Sequence, residues 1–200
     1  MKYRLLIVGP PGAGKGTQAK NVSEDLGITW ISSGELFRET IRSGSDLGNV
    51  IASYIDNGNL VPDEITDVMV ENHLDVIDPK NGFLLDGYPR TLDQVDALER
   101  MLEAHDAPLD AVIELQIPDE EIIGRLLSRA EKEGRKDDTE DVIRHRIAVY
   151  HAKTEPLLNV YRERGLLVGV HGLGTIDEVR ERLVNNARKF LRESELEVTE

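Results

Sequence analysis

Two hundred residues with 40% apolar and 31% charged side chains are enough to bury one core and too apolar for a disordered chain. A net charge of −14 makes the surface as a whole repel nucleic acid and anionic membrane, so a phosphate-bearing partner has to be met by a local cluster of basic side chains. The absence of cysteine excludes disulfides and cysteine-held zinc. The apolar part of MKYRLLIVG is too short for a signal peptide and no run approaches the ~20 apolar residues of a membrane span, so the expected location is cytoplasmic, without a membrane partner.

The first predicted strand, residues 3–8, carries Leu5, Leu6, Ile7 and Val8 and runs into GPPGAGKGTQ, residues 9–18. A glycine-rich turn between a strand and a helix lets backbone N–H groups converge where the helix N-terminus adds positive potential, which makes a phosphate cradle. Gly9, Gly14 and Lys15 satisfy the pattern G-x-x-x-x-G-K, in which glycine admits the ligand to the backbone and the lysine brings a full charge to the terminal phosphates. Gly16 stands where that pattern usually has serine or threonine, and Thr17 follows one place late, which argues against Thr17 as a direct magnesium ligand.

Farther along, Ala19, Val22 and Leu26 share a helix face that Gly27 ends, and a second strand is predicted over 28–32. Residues 33–81 show helical patterns without a strand, including Val50, Ile51, Tyr54 and Ile55 before Gly58. That is more chain than one crossover needs, so part of it is expected to project as a lobe. Strands follow over 82–86, 111–116 and 166–171, with a helix carrying Val95, Leu98, Met101 and Leu102 after Arg90. SRAEKEGRKDD, residues 128–138, reads as a charged, lid-like loop between two helices. The helical segment after it runs to about residue 164 and is expected to be interrupted at Pro156. Thr175 and Glu178 form a capping-box pattern, and the tail 192–200 is expected to fray. Five alternations of strand and helix predict an α/β fold, a parallel sheet covered on both faces.

Asp86 ends the strand GFLLD. An acid at the carboxyl end of a central strand beside a phosphate loop can organise magnesium through water, and a turn or capping aspartate is the other reading. Gln94, one helical turn after Arg90, offers an amide donor and acceptor to a base edge, which suits adenine. The five histidines, His73, His105, His145, His151 and His171, show no metal-ligand spacing and read as structural, and Trp30 reads as packing.

Taken in order, GPPGAGKGTQ, ISSGELFR, GNLVPDE, GFLLDGYPRT and RKDDTEDVIRHR resemble adenylate kinase, within the nucleoside monophosphate kinase family, along nearly the whole chain. The resemblance implies a three-layer phosphate-loop domain with a five-stranded parallel sheet over 1–200, an inserted monophosphate-binding lobe over 32–61 and a short lid over 128–138. It implies that Gly12, Ala13, Gly14, Lys15, Gly16, Thr17, Arg125 and Arg129 serve ATP. Ser33, Arg38, Asn59, Leu60, Val61, Gly87, Tyr88, Pro89, Arg90 and Gln94 would surround AMP, while Arg135 and Arg146 would lie over the phosphates when the lid closes. Lys15, Asp86, Arg90, Arg129, Arg135 and Arg146 are then the catalytic set. Gly172 to Gly174 would offer carbonyls to the ATP adenine or form a simple strand-to-helix turn. Arg125 is also readable as an exposed helix residue, and Asp137 and Asp138 either orient lid arginines or cap the next helix.

The activity implied is reversible transfer from Mg·ATP to AMP giving two ADP, by a monomer using Mg2+ and no zinc, in adenine nucleotide homeostasis. A UMP/CMP kinase is the near alternative; Thr91 after Arg90, together with Gln94, favours AMP, because pyrimidine kinases usually have asparagine after that arginine. A phosphate-loop switch without a second substrate gives no reason for GYPRT with Gln94. Lobe and lid are expected to close when both nucleotides are bound, with the empty lid a flexible loop.

Overall fold

The computed structural model describes residues 2–133 and 139–197, without side chains for 129–133 and 194–197. Strands β1 (Arg4–Val8), β2 (Thr29–Ser32), β3 (Phe83–Asp86), β4 (Ala111–Gln116) and β5 (Leu167–His171) form a parallel sheet in the order β2-β3-β1-β4-β5. Each lies within its predicted range. Because successive strand residues point to opposite faces, both faces of the central strands are apolar. Leu5, Ile7, Leu84, Ile113 and Leu115 cluster with residues of α1 (Lys15–Leu26) and α9 (Ile176–Glu197). Leu6, Val8, Phe83, Leu85 and Val112 cluster with residues of α4 (Asp63–Ile77), α5 (Leu92–Ala104) and α8 (Pro156–Glu163).

The strandless stretch between β2 and β3 consists of α2 (Ser33–Arg42), α3 (Asp46–Ile55), α4 and a short 3-10 turn at Pro79–Asn81. Local chemistry sets these boundaries. Ser32 Oγ accepts from Glu35 N to open α2, Ser45 Oγ accepts from Gly48 N to open α3, and Gly27 closes α1 with φ 63°.

The chain after β4 differs from the sequence reading in two places. α6 (Asp119–Glu133) is helical through Ser128–Glu133, where a loop was expected. Arg, Ala, Glu and Lys in that stretch are strong helix formers, so a polar composition there does not by itself mark irregular backbone. Residues 134–138 lie outside the described part. The tail differs likewise: α9 continues to Glu197, beyond the expected onset of fraying at 192.

Pro156 interrupts its helix as expected. α7 (Glu140–Val149) widens into a π-helical turn at Tyr150–Thr154, in which Glu155 N donates to Tyr150 O at 2.9 Å, and Pro156 is the first residue of α8. A proline has no N–H to continue the ladder, so the wider turn takes up the break. Thr175 and Glu178 form their reciprocal capping bonds at 2.8 and 3.3 Å. No helix among the described residues is long and apolar enough to cross a membrane.

Candidate active site

β1 lies between β3 and β4, with Ile7 opposite Asp86 and Val8 opposite Glu114. The loop leaving β1 therefore opens at the carboxyl ends of the central strands, where open α/β sheets bind ligands. Gly14, with φ 91°, turns the chain into α1, a conformation costly to any residue with a Cβ. At Gly12 a Cβ would come within 2.7 Å of Leu126 Cγ. No side chain caps α1 and its first turn holds no acid, so its leading N–H groups are available to an anion. Lys15 Nζ donates to Gly9 O at 2.7 Å and to Pro10 O at 2.8 Å, which folds the ammonium over the loop.

Asp86 is buried, and a Cβ at Gly16 would lie 3.5 Å from its Oδ2. Burial pushes its carboxyl above the usual range, while Lys15, Arg90 and Arg38 pull the other way. Among the described residues no group of three or more His, Asp or Glu is placed to hold a metal. A single carboxylate beside a phosphate loop instead fits Mg2+, which keeps several waters and takes its remaining ligands from one or two carboxylates and substrate phosphates.

Facing the loop, the segment 87–94 is held by two other elements, the π-helical turn and α4. Arg90 Nε donates to Gly87 O at 2.8 Å, Arg90 N donates to Gln94 Oε1 at 2.7 Å, and Thr154 Oγ1 donates to Arg90 O at 3.0 Å. Burial lowers the Arg90 guanidinium pKa against the opposing pull of Asp86. From α4, Asp63 Oδ1 accepts from Gln94 Nε2 and Oδ2 from Thr91 Oγ1, both at 2.7 Å. One turn along α4, Asp67 accepts from Tyr88 OH at 2.8 Å. Burial raises the Asp67 carboxyl, with the phenol hydrogen bond opposing it. On α2, Arg38 pairs with Glu35. The wall from α7 is close-packed: a Cβ on Gly58 would lie 2.9 Å from Arg146 Cγ, and His145 Nε2 is 2.8 Å from Asn59 Oδ1.

These surfaces enclose one cavity of about 900 Å³. A phosphate loop at one end and arginines with an amide at the other, with Asp86 between, describe a site for two phosphorylated ligands. The family model described as Adenylate kinase matches residues 7–166. The chain belongs to the adenylate kinase family. An adenylate kinase of Kocuria rhizophila is 53% identical over 90% of this chain and 96% of its own length. Those of Clavibacter michiganensis and Micrococcus luteus are 53% and 52% identical, each over 90% of this chain and over 90% and 88% of their own lengths.

Most residues that the sequence singled out for an adenylate kinase site line this one cavity: Gly12, Gly14, Lys15, Gly16, Thr17, Arg38, Asn59, Leu60, Val61, Asp86, Gly87, Pro89, Arg90, Gln94, Arg125 and Arg146. Arg125, on α6, is not merely exposed. Its Nη2 donates to Gly172 O at 3.3 Å and its Nε to Glu121 at 3.0 Å. Four residues do not reach the lining. Ala13 is buried in the core beneath the loop, and Ser33 is buried with its Oγ 3.5 Å from Asp86 O. Tyr88 points its ring into the core towards Asp67. Gly174 sits in the turn after β5, where Arg182 donates to Leu173 O and His171 O. The Arg129 side chain and Arg135, Asp137 and Asp138 lie outside the described residues.

Sequence reasoning missed Asp63, Thr154 and Tyr150, whereas Trp30, read as packing, is half-buried against the core cluster that includes α1 and α9 and also borders the cavity. Asp63 sits inside the quoted motif GNLVPDE, but an acid in a first helical turn reads as dipole compensation. A repeat at i, i+4 with Asp67 was the available signal that one face of α4 clamps another segment. Thr154 carried no signal, since its partner is 64 positions away.

Proposed function

We propose that this cavity holds ATP and AMP together and catalyses ATP + AMP ⇌ 2 ADP. Membership of the adenylate kinase family makes the chain an ATP:AMP phosphotransferase. The observation that carries the residue assignment is that the phosphate loop and the Arg90–Gln94 segment face one another across a single cavity with Asp86 between them.

Phosphoryl transfer asks for two polyanions held in line and kept from water, with little covalent work by the protein. The open N–H groups of the loop and of α1 take the donor phosphates, and Lys15 exchanges the Gly9 and Pro10 carbonyls for phosphate oxygens. Arg90, Arg38 and Arg146 hold the acceptor phosphate, as forked guanidinium groups do well. Arg90 is pre-set for this because Gly87, Gln94 and Thr154 fix its backbone and Nε. Gln94 has one N–H and one lone pair left for the acceptor base. Asp86 would hold Mg2+ through water, and the ion when bound neutralises charge on the donor phosphates. Arg125 reaches the 172–174 turn, which supports that turn as the place of the ATP adenine. The lobe at 32–61 and the lid at 128–138, with Arg129 and Arg135, close over the phosphates. The enzyme acts as a cytoplasmic monomer.

The test is to incubate the purified chain with ADP and Mg2+ and follow the mixture by 31P NMR. ATP and AMP are expected in equal amounts, and an acceptor panel of AMP, UMP, CMP, GMP and dAMP is expected to rank AMP first. A folded chain that leaves ADP unchanged would overturn the proposal.

A further inference from the structure

The two ends of a glutamine amide have nearly the same shape, so what surrounds them decides which end points where. At Gln94 the surroundings leave no choice. The Arg90 backbone N–H, 2.7 Å from one end, can only donate, and the Asp63 carboxylate, 2.7 Å from the other, can only accept. Oε1 must therefore face Arg90 and Nε2 must face Asp63. Gln94 is only 2% exposed, so water has little access to the amide.

Asp63 is itself held in place. It is the first residue of α4, where the positive end of the helix favours a carboxylate. Its second oxygen accepts from Thr91 Oγ1 at 2.7 Å, and Thr91 caps α5 by accepting from Gln94 N at 3.2 Å. Asp63, Thr91 and Gln94 thus form a closed ring of hydrogen bonds, which the Arg90 backbone N–H joins at Gln94 Oε1.

We propose that Asp63 is a positioning residue that, together with the Arg90 backbone N–H, fixes the Gln94 amide and thereby selects a 6-aminopurine acceptor over a 6-oxopurine. The inference rests on the reading that Gln94 faces the acceptor base. Each end of the amide has one hydrogen-bonding position left, in a fixed spatial order. Adenine offers an amino donor beside a ring-nitrogen acceptor. Hypoxanthine offers a carbonyl acceptor beside an N–H donor, the reverse order. A fixed amide pairs with the first and sets donor against donor with the second, whereas an amide free to turn over accepts both. A residue acting only as a helix-start acid would add stability and leave base choice alone.

The experiment compares kcat/KM for AMP and for inosine monophosphate, at saturating Mg·ATP, in the full chain and in Asp63→Ala, Asp63→Asn and Gln94→Leu. The ratio of the two values on one preparation does not depend on the folded fraction, so a partly unstable variant still reports. Asp63→Ala is expected to narrow the preference for AMP on the order of tenfold, through KM for the acceptor, with KM for ATP within about twofold. Asp63→Asn is expected to keep the preference within about threefold of the unsubstituted chain. Its Oδ1 still accepts from Gln94 while its Nδ2 donates to Thr91 Oγ1. Gln94→Leu is expected to narrow the preference at least as far as Asp63→Ala. An unchanged ratio in Asp63→Ala alongside a collapsed ratio in Gln94→Leu would overturn the role of Asp63. Equal losses in the Ala and Asn variants would overturn it too, because charge would then be the cause. An unchanged ratio in Gln94→Leu would instead remove the underlying reading that Gln94 faces the base.

Discussion

The two ends of the cavity are built in opposite ways. At the phosphate-loop end the working groups come from residues 9–17 and from the one strand end paired beside them, so local backbone geometry makes most of the site. At the acceptor end, Arg90 and Gln94 depend on Asp63 from α4 and Thr154 from the π-helical turn, partners 31 and 64 positions distant. The first end is fixed once β1 and α1 form. The second is correct only when α4, α5 and the turn before α8 have packed against one another. Substitutions at the loop should therefore act on chemistry with little effect elsewhere, and substitutions around Arg90 should spread through a network.

The largest effect is expected at Lys15. Replacing it by methionine removes the charge over the loop while keeping the stem, and turnover should fall by about 2–4 kcal/mol of transition-state stabilisation. The melting temperature should stay close to that of the unsubstituted chain, because the carbonyls of Gly9 and Pro10 that the ammonium bonds belong to its own loop. A coupled kinetic assay beside calorimetry checks both halves. Near-normal turnover would remove the loop from the mechanism.

Next comes Arg90→Ala, expected to cost about 1.5–3 kcal/mol in kcat/KM for AMP, the range for a hydrogen bond to a charged group. Both KM for AMP and kcat should worsen. Arg162→Ala is the control, since that arginine is exposed and bonds Asn159 on its own helix. Identical behaviour of the two variants in steady-state kinetics would contradict the site map.

A smaller loss tests whether the acceptor end behaves as a network. Thr154→Val keeps the shape of the side chain and deletes its bond to Arg90 O. KM for AMP is expected to rise by about 0.5–1.5 kcal/mol while KM for ATP holds, although Thr154 is far from the acceptor segment in sequence. Equal changes in both KM values would mean that the turn serves the whole cavity alike.

The smallest effect concerns the same turn and pH. His151 lies between Glu155 on its own segment and Asp119 at the start of α6, at 2.9 and 3.0 Å, with the Tyr150 ring edge-on beside it. The Glu155 hydrogen bond, with Asp119 adding to it against desolvation, raises its pKa. A raised folded-state pKa means that the contribution is complete below the unfolded value of about 6.5 and fades as pH climbs through the folded one. The melting-temperature gap between the unsubstituted chain and His151→Gln should thus be widest near pH 5–6 and should close towards alkaline pH. A gap that widens with pH would reverse the assignment.

How far each end was legible follows from the same difference. The strands were readable because the central ones are buried on both faces and leave continuous apolar runs, as in Leu5 to Val8. The loop was readable because its chemistry is contiguous, down to the Gly16 departure, which the structure sets against Asp86. At the acceptor end the sequence supplied Arg90 and Gln94 but not what holds them, since Asp63 looks like a helix-start acid and Thr154 like any polar residue near a helix interruption. Tyr88, placed around AMP by motif, turned out to point its ring into the core, because a motif marks positions and not side-chain directions. Polarity misled the reading from Ser128 to Glu133, because a polar stretch rich in strong helix formers has the same composition as a charged loop.

The central claim, that one cavity holds both nucleotides with their phosphates meeting at Asp86, is tested most directly by a crystal structure with two adenosines joined by five phosphates. One analogue per chain is expected. One adenosine should lie towards Arg125 and the 172–174 turn, the phosphates should cross the loop at Gly12 to Thr17, and the second adenine should lie beside Gln94. An analogue with its second adenosine outside the wall formed by Arg38, Asn59 and Gln94, or two analogues bound separately, would contradict the account.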